Sequence, residues 1–167
     1  MKPRSKSFDT WVACIILCSA LGCASAWPKA RTPRLPEDQP FSCDPGETAR
    51  LTELIRPYVE YARLTYPDAR MRYLRGLPRG HVFFLTTLFH HSPKRVEQVF
   101  VEVSAINGQV ISGLIASEPM GPGFTQWQPY EFPETEILDW TIQHPDGTEE
   151  GNVVGNFLDR YQGKCPQ

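Results

Sequence analysis

The stretch from residue 82 to residue 116 restricts the fold more than any other part of the chain. Val82 to Phe89 (VFFLTTLF) is a run of β-branched and aromatic residues with apolar side chains on both faces, which is typical of a central strand. Val96 to Val103 predicts a second strand that alternates towards its end and so has one face in water. Asn107-Gly108 indicates a type I′ hairpin, after which Val110 to Ala116 forms a third strand. Strands joined by short turns predict an antiparallel meander.

The segment before these strands has the periodicity of an amphipathic helix. Apolar residues recur between Leu51 and Ala62 at spacings of three and four. Pro57 interrupts the pattern because it has no N–H for the Glu53 carbonyl and crowds that carbonyl, so we expect a kink or two short helices. Pro67 suits the first position of a second helix. The sequence therefore predicts N-terminal helices packed on a sheet.

The last third of the chain supplies the remaining elements. Tyr130 and Phe132 flank Glu131 in a short strand that Pro133 ends. One helical turn is expected at 134–138, which would place Ile137 and Trp140 against the core, so that the 132–140 segment closes it. Another strand is expected from Trp140. The motif HPDG at 144–147 reverses the chain, and the segment 151–157 is either the last strand or the start of a terminal helix. The predicted fold class is α+β, with helices packed on a small antiparallel sheet of about five strands.

Three motifs carry a family resemblance. The sequences YEFPETEILDW (130–140), HPDGTEEGNVVGNFLD (144–159) and TYPDA (65–69) resemble the YegJ-type family of uncharacterised bacterial proteins. The resemblance covers roughly residues 60 to 161. It implies a small α+β fold with an antiparallel sheet, and it implies no reaction, cofactor or catalytic residues. The turn at 144–150 is longer than the one typical of most of the family.

The N-terminus has the pattern of an export signal. Lys2, Arg4 and Lys6 precede the apolar run Trp11 to Leu21, which is about half the ~20 residues that a membrane-spanning helix needs. A charged start, a short apolar run and small residues after it are typical of a secretory signal peptide. Residues 1–22 are therefore predicted to be removed on export.

Two cleavage sites are compatible with this signal. Ala20-Leu21-Gly22-Cys23 resembles a bacterial lipobox, which would leave a lipidated Cys23 that anchors the protein to a membrane. Ala24-Ser25-Ala26 instead fits the cleavage pattern of ordinary signal peptidase and would release a chain starting at Trp27.

Residues 23–45 are rich in proline and predict an extended tether, which leaves 46–167 as a single domain. The expected location is the bacterial cell envelope, as a periplasmic protein or a membrane-anchored lipoprotein.

Cysteine usage agrees with an exported chain. Cys14 and Cys18 lie in the signal, and Cys43 and Cys165 lie near the two ends of the folded part. In an oxidising compartment this pair is a plausible disulfide, although two free thiols remain the alternative.

Charge and motifs exclude several classes of function. Without residues 1–22 the 17 Lys and Arg and 19 Asp and Glu residues lose three bases and one acid, which leaves a net charge of −4 and argues against nucleic-acid binding. The sequence contains no G-x-S-x-G, H-E-x-x-H or phosphate-binding glycine loop, and no cofactor is indicated. His90 and His91 fall in a predicted polar turn, and four scattered histidines predict no metal site.

A possible binding rim remains. Its expected members are the aromatic residues after the Gly/Pro-rich loop and the polar residues of the 139–152 turn: Phe124, Trp127, Asp139, His144, Glu149 and Glu150. The alternative interpretation is structural, with Asp139 anchoring the turn beside Trp140 and the glutamates in solvent. We expect a non-catalytic module that binds an envelope protein or polymer, or a structural protein. An enzyme, such as a hydrolase with an unrecognised site near this turn, is the alternative.

Overall fold

A computed structural model describes residues 45–92 and 95–161 of the 167-residue chain, with side chains at 49–92 and 96–161. The predicted signal, most of the tether, the lipidation site Cys23 and the predicted disulfide partners Cys43 and Cys165 lie outside these residues.

The described part of the chain is an α+β fold built on one antiparallel sheet. Its elements in chain order are α1 (Pro45–Leu74), β1 (Val82–Ser92), β2 (Arg95–Asn107), β3 (Val110–Ile115), β4 (Pro129–Pro133), a 3-10 turn (Glu134–Glu136), β5 (Asp139–Gln143), β6 (Glu149–Gly151) and α2 (Val153–Arg160). The strand order is β4-β3-β2-β1-β5-β6. The predicted class and the meander over β1 to β3 are confirmed. The sheet has six strands instead of about five, and one of the two helices follows the sheet.

The central strand β1 is longer than its apolar run. It pairs with β2 on one side and β5 on the other, with Leu85 opposite Val101 and Trp140. The strand continues to Ser92, so His90 and His91 lie in the sheet and not in the predicted polar turn. Pairing of Phe89 with Glu97 and of His90 with Val96 sustains this extension.

The hairpin between β2 and β3 lies where it was predicted, but its turn differs in type. Asn107 pairs with Val110, so the loop consists of Gly108 and Gln109. Gly108 has φ +64°, whereas Asn107 and Gln109 are not among the residues with positive φ. A glycine at the first loop position with positive φ there alone fits type II′ and not type I′.

α1 is a single 30-residue helix that passes through both prolines. Its buried positions keep one stripe along the whole length: Leu51, Ile55, Val59, Ala62, Tyr66 and Ala69. Pro57 and Pro67 both lie on the exposed side. An interior proline costs a helix about 3 kcal/mol, and burial of this uninterrupted stripe offsets that cost. This is why the chain forms one helix and not the two short helices that were one of the expected outcomes.

The two halves of α1 contribute to different cores. Leu51, Ile55 and Val59 pack with Val154 of α2. Tyr66 and Ala69 belong instead to the main core, which is formed by one face of the sheet. The sheet-proximal half thus fixes α1 on the sheet, and the other half receives α2.

The segment between β4 and β5 closes the main core, as the sequence predicts. Phe132 and Ile137 are buried, and Trp140 is half-buried against the same core. The Trp140 indole N–H donates to Thr65 Oγ1 at 3.0 Å, and Arg63 Nε donates to the Ile137 carbonyl at 2.7 Å. These bonds fix the segment to α1.

Candidate functional site

An open surface with exposed aromatic side chains lies where α1 and α2 converge. The two helices leave an open groove of about 620 Å³, lined by Pro57, Tyr58, Tyr61, Val153, Asn156 and Arg160. The α2 members recur at spacings of three and four, so they share one face of that helix.

Two tyrosines form the α1 wall of the groove. Tyr58 stacks on Phe157 of α2, with ring centroids 4.3 Å apart. Tyr61 lies almost one turn further along and is 55% exposed. The stacked pair joins the two helices, while part of each tyrosine side chain stays in solvent.

A separate small apolar core packs between α1 and α2 beneath the groove. Val154 is fully buried among Leu51, Ile55 and Val59, on the side of α2 that faces away from solvent. This apolar contact fixes the distance between the helices and therefore the width of the groove.

Asp139 determines where α2 begins. Its side chain is buried, and Oδ2 accepts the backbone N–H of Val154 at 2.6 Å. Oδ1 accepts the backbone N–H of Trp140 at 2.8 Å. A carboxylate at a helix N-terminus satisfies free N–H groups and favours the helix dipole. Asp139 therefore stabilises the N-terminus of α2 from a buried position and does not line the groove. This agrees with the alternative interpretation of Asp139 as a structural anchor beside Trp140.

The far end of the groove carries a positive charge. Asn156 Nδ2 donates to the Asn152 carbonyl at 2.6 Å, and Arg160 Nε donates to the Asn156 carbonyl at 2.7 Å. These bonds hold Arg160 along α2, where it is exposed. Its guanidinium forms no ion pair with any residue of the described ranges, so it can serve an acidic group of a ligand.

A second polar cluster occupies the turn at 144–150. Glu150 accepts two hydrogen bonds from Arg72, at 2.6 and 2.9 Å, and contacts His144 Nε2 at 2.8 Å. The hydrogen bonds from Arg72, followed by that from His144, lower the pKa of Glu150 to about 2. The His144 ring lies 4.6 Å from the His81 ring. Through Arg72 and Glu150 the cluster links the end of α1 to β6. It lies at the surface, and the contact with Glu150 orients the His144 ring.

Glu149 faces a different environment from Glu150. It is half-buried and accepts hydrogen bonds from Gln143 Nε2 at 3.3 Å and from Asn152 Nδ2 at 2.8 Å. Its neighbour Asn152 is the residue before α2 and has φ +51°. Glu149 therefore helps to support the α2 N-terminus.

Phe124 and Trp127 lie on opposite faces of the sheet. Phe124 is 6% exposed and packs in the main core against Phe89, with ring centroids 4.8 Å apart. Trp127 is half-buried against the other face of the sheet, with Phe84 and Phe100. The structure thus distributes the six expected rim residues over both ends and both faces of the sheet, and does not bring them together at one surface.

Sequence reasoning missed a buried, hydrogen-bonded pair of side chains at the other end of β1. The side chains of His91 and Glu97 are 5% and 1% exposed, and His91 Nε2 lies 2.7 Å from Glu97 Oε2. His91 Nδ1 lies 2.9 Å from the Pro122 carbonyl, and Glu97 Oε1 accepts the Met120 N–H at 2.8 Å. A carbonyl can only accept, so Nδ1 carries a proton and one further proton is shared with Glu97.

The pair could have been found from strand alternation. Glu97 has the same parity as the buried Val99, Val101 and Val103 of β2, which places its side chain on the core face. A carboxylate on a core face needs a partner. Both side chains bond the 118–123 loop, so the pair fastens that loop to the sheet.

Two further findings concern the described ranges as a whole. No group of three or more His, Cys, Asp or Glu residues there has the geometry to hold a metal ion. No helix there is long and apolar enough to span a bilayer.

Comparison of the chain with protein-family models, with curated proteins and with solved structures gave no match.

Proposed function

We propose that this chain is a non-catalytic binding module of the bacterial cell envelope, and that its α1–α2 groove binds an extended, proline-rich segment of an envelope protein. The observation that carries the proposal is the pair of solvent-facing tyrosines, Tyr58 and Tyr61, above a rigid interhelical floor.

The chemistry of the groove favours this class of ligand. Proline-rich segments are pre-arranged in the polyproline II helix, so they lose little conformational entropy on binding, and they dock in aromatic-lined grooves. Pro57, Tyr58 and Tyr61 supply adjacent rings along one side of the groove. The open form of the groove suits a continuous chain better than an enclosed small molecule.

The envelope location is part of the same proposal. Export by the 1–22 signal, a lipid on Cys23 and the proline-rich tether would hold the domain away from the membrane surface, with access to other envelope proteins. The motifs at 65–69, 130–140 and 144–159 support membership of the YegJ-type family.

Intact-mass spectrometry tests the location. We expect the mass of a chain that starts at Cys23 and carries a diacylglycerol group. A chain that starts at Trp27 would overturn the lipid anchor but not the export, and an unprocessed chain that starts at Met1 would overturn both.

Calorimetric titration with decaproline tests the binding function. The full chain in mild detergent should bind decaproline and not a Gly-Ser decapeptide. Tyr61→Ala should weaken binding by roughly tenfold, because truncation of an exposed aromatic anchor costs about 1–2 kcal/mol. Leu64→Ala is the matched control, since Leu64 is 76% exposed on α1 but does not line the groove. Equal affinity of the two variants would overturn the role of the groove.

The oriented pair of His144 and Glu150 favours a second candidate, a hydrolase that uses the turn at 144–150. A carboxylate that positions a histidine is part of many catalytic sites. Within the part of the chain that the structure describes, no Ser, Thr or Cys side chain bonds His144, so water would have to be the nucleophile. If the chain hydrolyses a test substrate, His144→Gln should abolish that hydrolysis while decaproline binding stays unchanged.

A further inference from the structure

We infer that the first occupant of the α1–α2 groove is the chain's own proline-rich segment, Thr32–Pro40, docked within the same molecule. The inference rests on the proposed function of the groove as a site for proline-rich segments. It goes further by naming a ligand and a way in which access to the groove is controlled.

The segment has the proline spacing that an aromatic-lined groove can bind. It reads TPRLPEDQP, with Pro33 and Pro36 three residues apart. The polyproline II helix has three residues per turn, so these two prolines lie on one face. That face can contact the ring row of Pro57, Tyr58 and Tyr61.

The length of chain before α1 allows the contact. The groove residues on α1 begin 12 residues after Pro45, which corresponds to about 18 Å at the rise of an α-helix. A polyproline II segment that folds back along α1 covers this distance with roughly six residues at ~3.1 Å each. The 32–40 segment ends five residues before Pro45, so the chain has enough residues to reverse its direction and then lie over the groove.

Charge complementarity also favours this segment as the occupant of the groove. Pro36 is followed by the acidic residues Glu37 and Asp38. Arg160 at the end of the groove is exposed and forms no ion pair with the described residues. An acidic pair beside the second proline provides the missing partner, and opposite charges of this kind set the register of a docked segment.

The consequence is competition between the tether and outside ligands. A segment tied to its site by a short linker acts at an effective concentration of the order of millimolar. An external proline-rich ligand must displace it, so its apparent affinity is reduced by the fraction of molecules whose groove is free.

A photo-cross-link detects the intramolecular contact. We would place p-benzoylphenylalanine at position 61 of the full chain in mild detergent, irradiate it and digest it with trypsin. The expected product joins the label to the peptides cleaved at Arg31, Arg34 and Arg50, within one chain. The same label at position 71 is the control, since Met71 is 44% exposed on α1 and does not line the groove. No product from position 61, equal yields from both positions, or products between two chains would overturn the inference.

Titration with decaproline separates the inference from the proposed function. Pro33→Ala/Pro36→Ala should bind decaproline roughly 2- to 10-fold more tightly than the unchanged chain, because the competitor is weakened. Equal binding by both chains would overturn the inference and leave the proposed function standing. A cross-link at position 61 without any decaproline binding would keep the intramolecular contact and overturn the proposed function. Absence of both would overturn both.

Discussion

The buried contact between His91 and Glu97 is the most unusual feature at the scale of single residues. Both side chains are almost fully enclosed, and each also bonds the backbone of the 118–123 loop. Gly123 lies so close to His91 that a methyl group at this glycine would collide with the ring. The pair therefore couples the end of β1 to a loop that has no regular structure of its own.

Removal of one partner of this pair should cost more stability than apolar replacement of both. Glu97→Ala leaves His91 and the Met120 N–H without their partner, so we expect a loss of about 3–5 kcal/mol in the free energy of unfolding. His91→Phe/Glu97→Leu fills the same space with apolar atoms and should lose less than Glu97→Ala does. Urea denaturation measures each value. A double variant less stable than Glu97→Ala would contradict this account.

Glu150 gives the domain a weak dependence of stability on pH. Its pKa is lowered in the folded state to about 2 by Arg72 and His144. A lowered folded pKa means that the stabilisation is complete above the unfolded pKa, ~4.3 for glutamate, and is lost as pH falls towards 2. The carboxylate is 36% exposed, and surface pairs contribute only about 0–1 kcal/mol. Glu150→Gln should therefore cost at most about 1 kcal/mol at pH 7.

The test is the difference in unfolding free energy between Glu150→Gln and the unchanged chain at several pH values. The difference should shrink steadily as the pH is lowered from 5 to 2, and it should also shrink in high salt. A difference that stays constant over this range would show that the carboxylate charge is not its source.

At the scale of elements, α2 depends on the residues around it. It has eight residues, which is too short to be stable as an isolated helix in water. Asp139 holds its first turn, and Gly151 makes the approach to it possible. Gly151 has φ +81°, and a methyl group there would collide with the Trp140 carbonyl and indole. The groove exists because these contacts place α2 beside α1.

Two glycine substitutions separate backbone strain from crowding. Gly76 has φ +92° with open space around it, so Gly76→Ala should cost about 1–2 kcal/mol from the left-handed conformation alone. Gly151→Ala combines the same strain with a collision and should cost clearly more, about 3 kcal/mol or above. Thermal or urea unfolding measures both. Similar losses would mean that the β5–β6 region relaxes around the new methyl group.

At the scale of the whole molecule, α1 contributes to two apolar cores. Its 30 residues pack on the sheet at one end and on α2 at the other. Covalent closure between the chain ends would reinforce this arrangement, since the predicted disulfide of Cys43 and Cys165 spans nearly the whole domain.

Reduction should destabilise the oxidised protein. Closure of so long a loop contributes up to about 5 kcal/mol in the chain-entropy model, so a reductant should lower the midpoint of urea unfolding. Cys43→Ser/Cys165→Ser is the control and should not respond to the reductant. Free thiols at both positions in the alkylated intact mass of the exported protein would rule out the bond.

The sequence alone determined the fold class, the central strand, the meander and the closing segment at 132–140. These predictions succeed because alternation, proline positions and hairpin glycines act locally, through the pleat of a strand and the dihedral angles of a turn. Local rules failed at Pro57 and Pro67, because burial of a stripe along all of α1 outweighs the local cost of each proline.

The candidate site could not be read in the same way. Tyr58 has the helical spacing of the apolar residues between Leu51 and Ala62, and only the docking of α2 left it at the edge of a groove. Asp139 and Phe124 were predicted to line a binding rim, but both side chains are buried in the tertiary structure. The sequence by itself fixes which face of an element is apolar, because side-chain direction follows the period of the backbone. Only the tertiary structure decides what that face meets, because helix and strand packing joins residues that are distant in the chain.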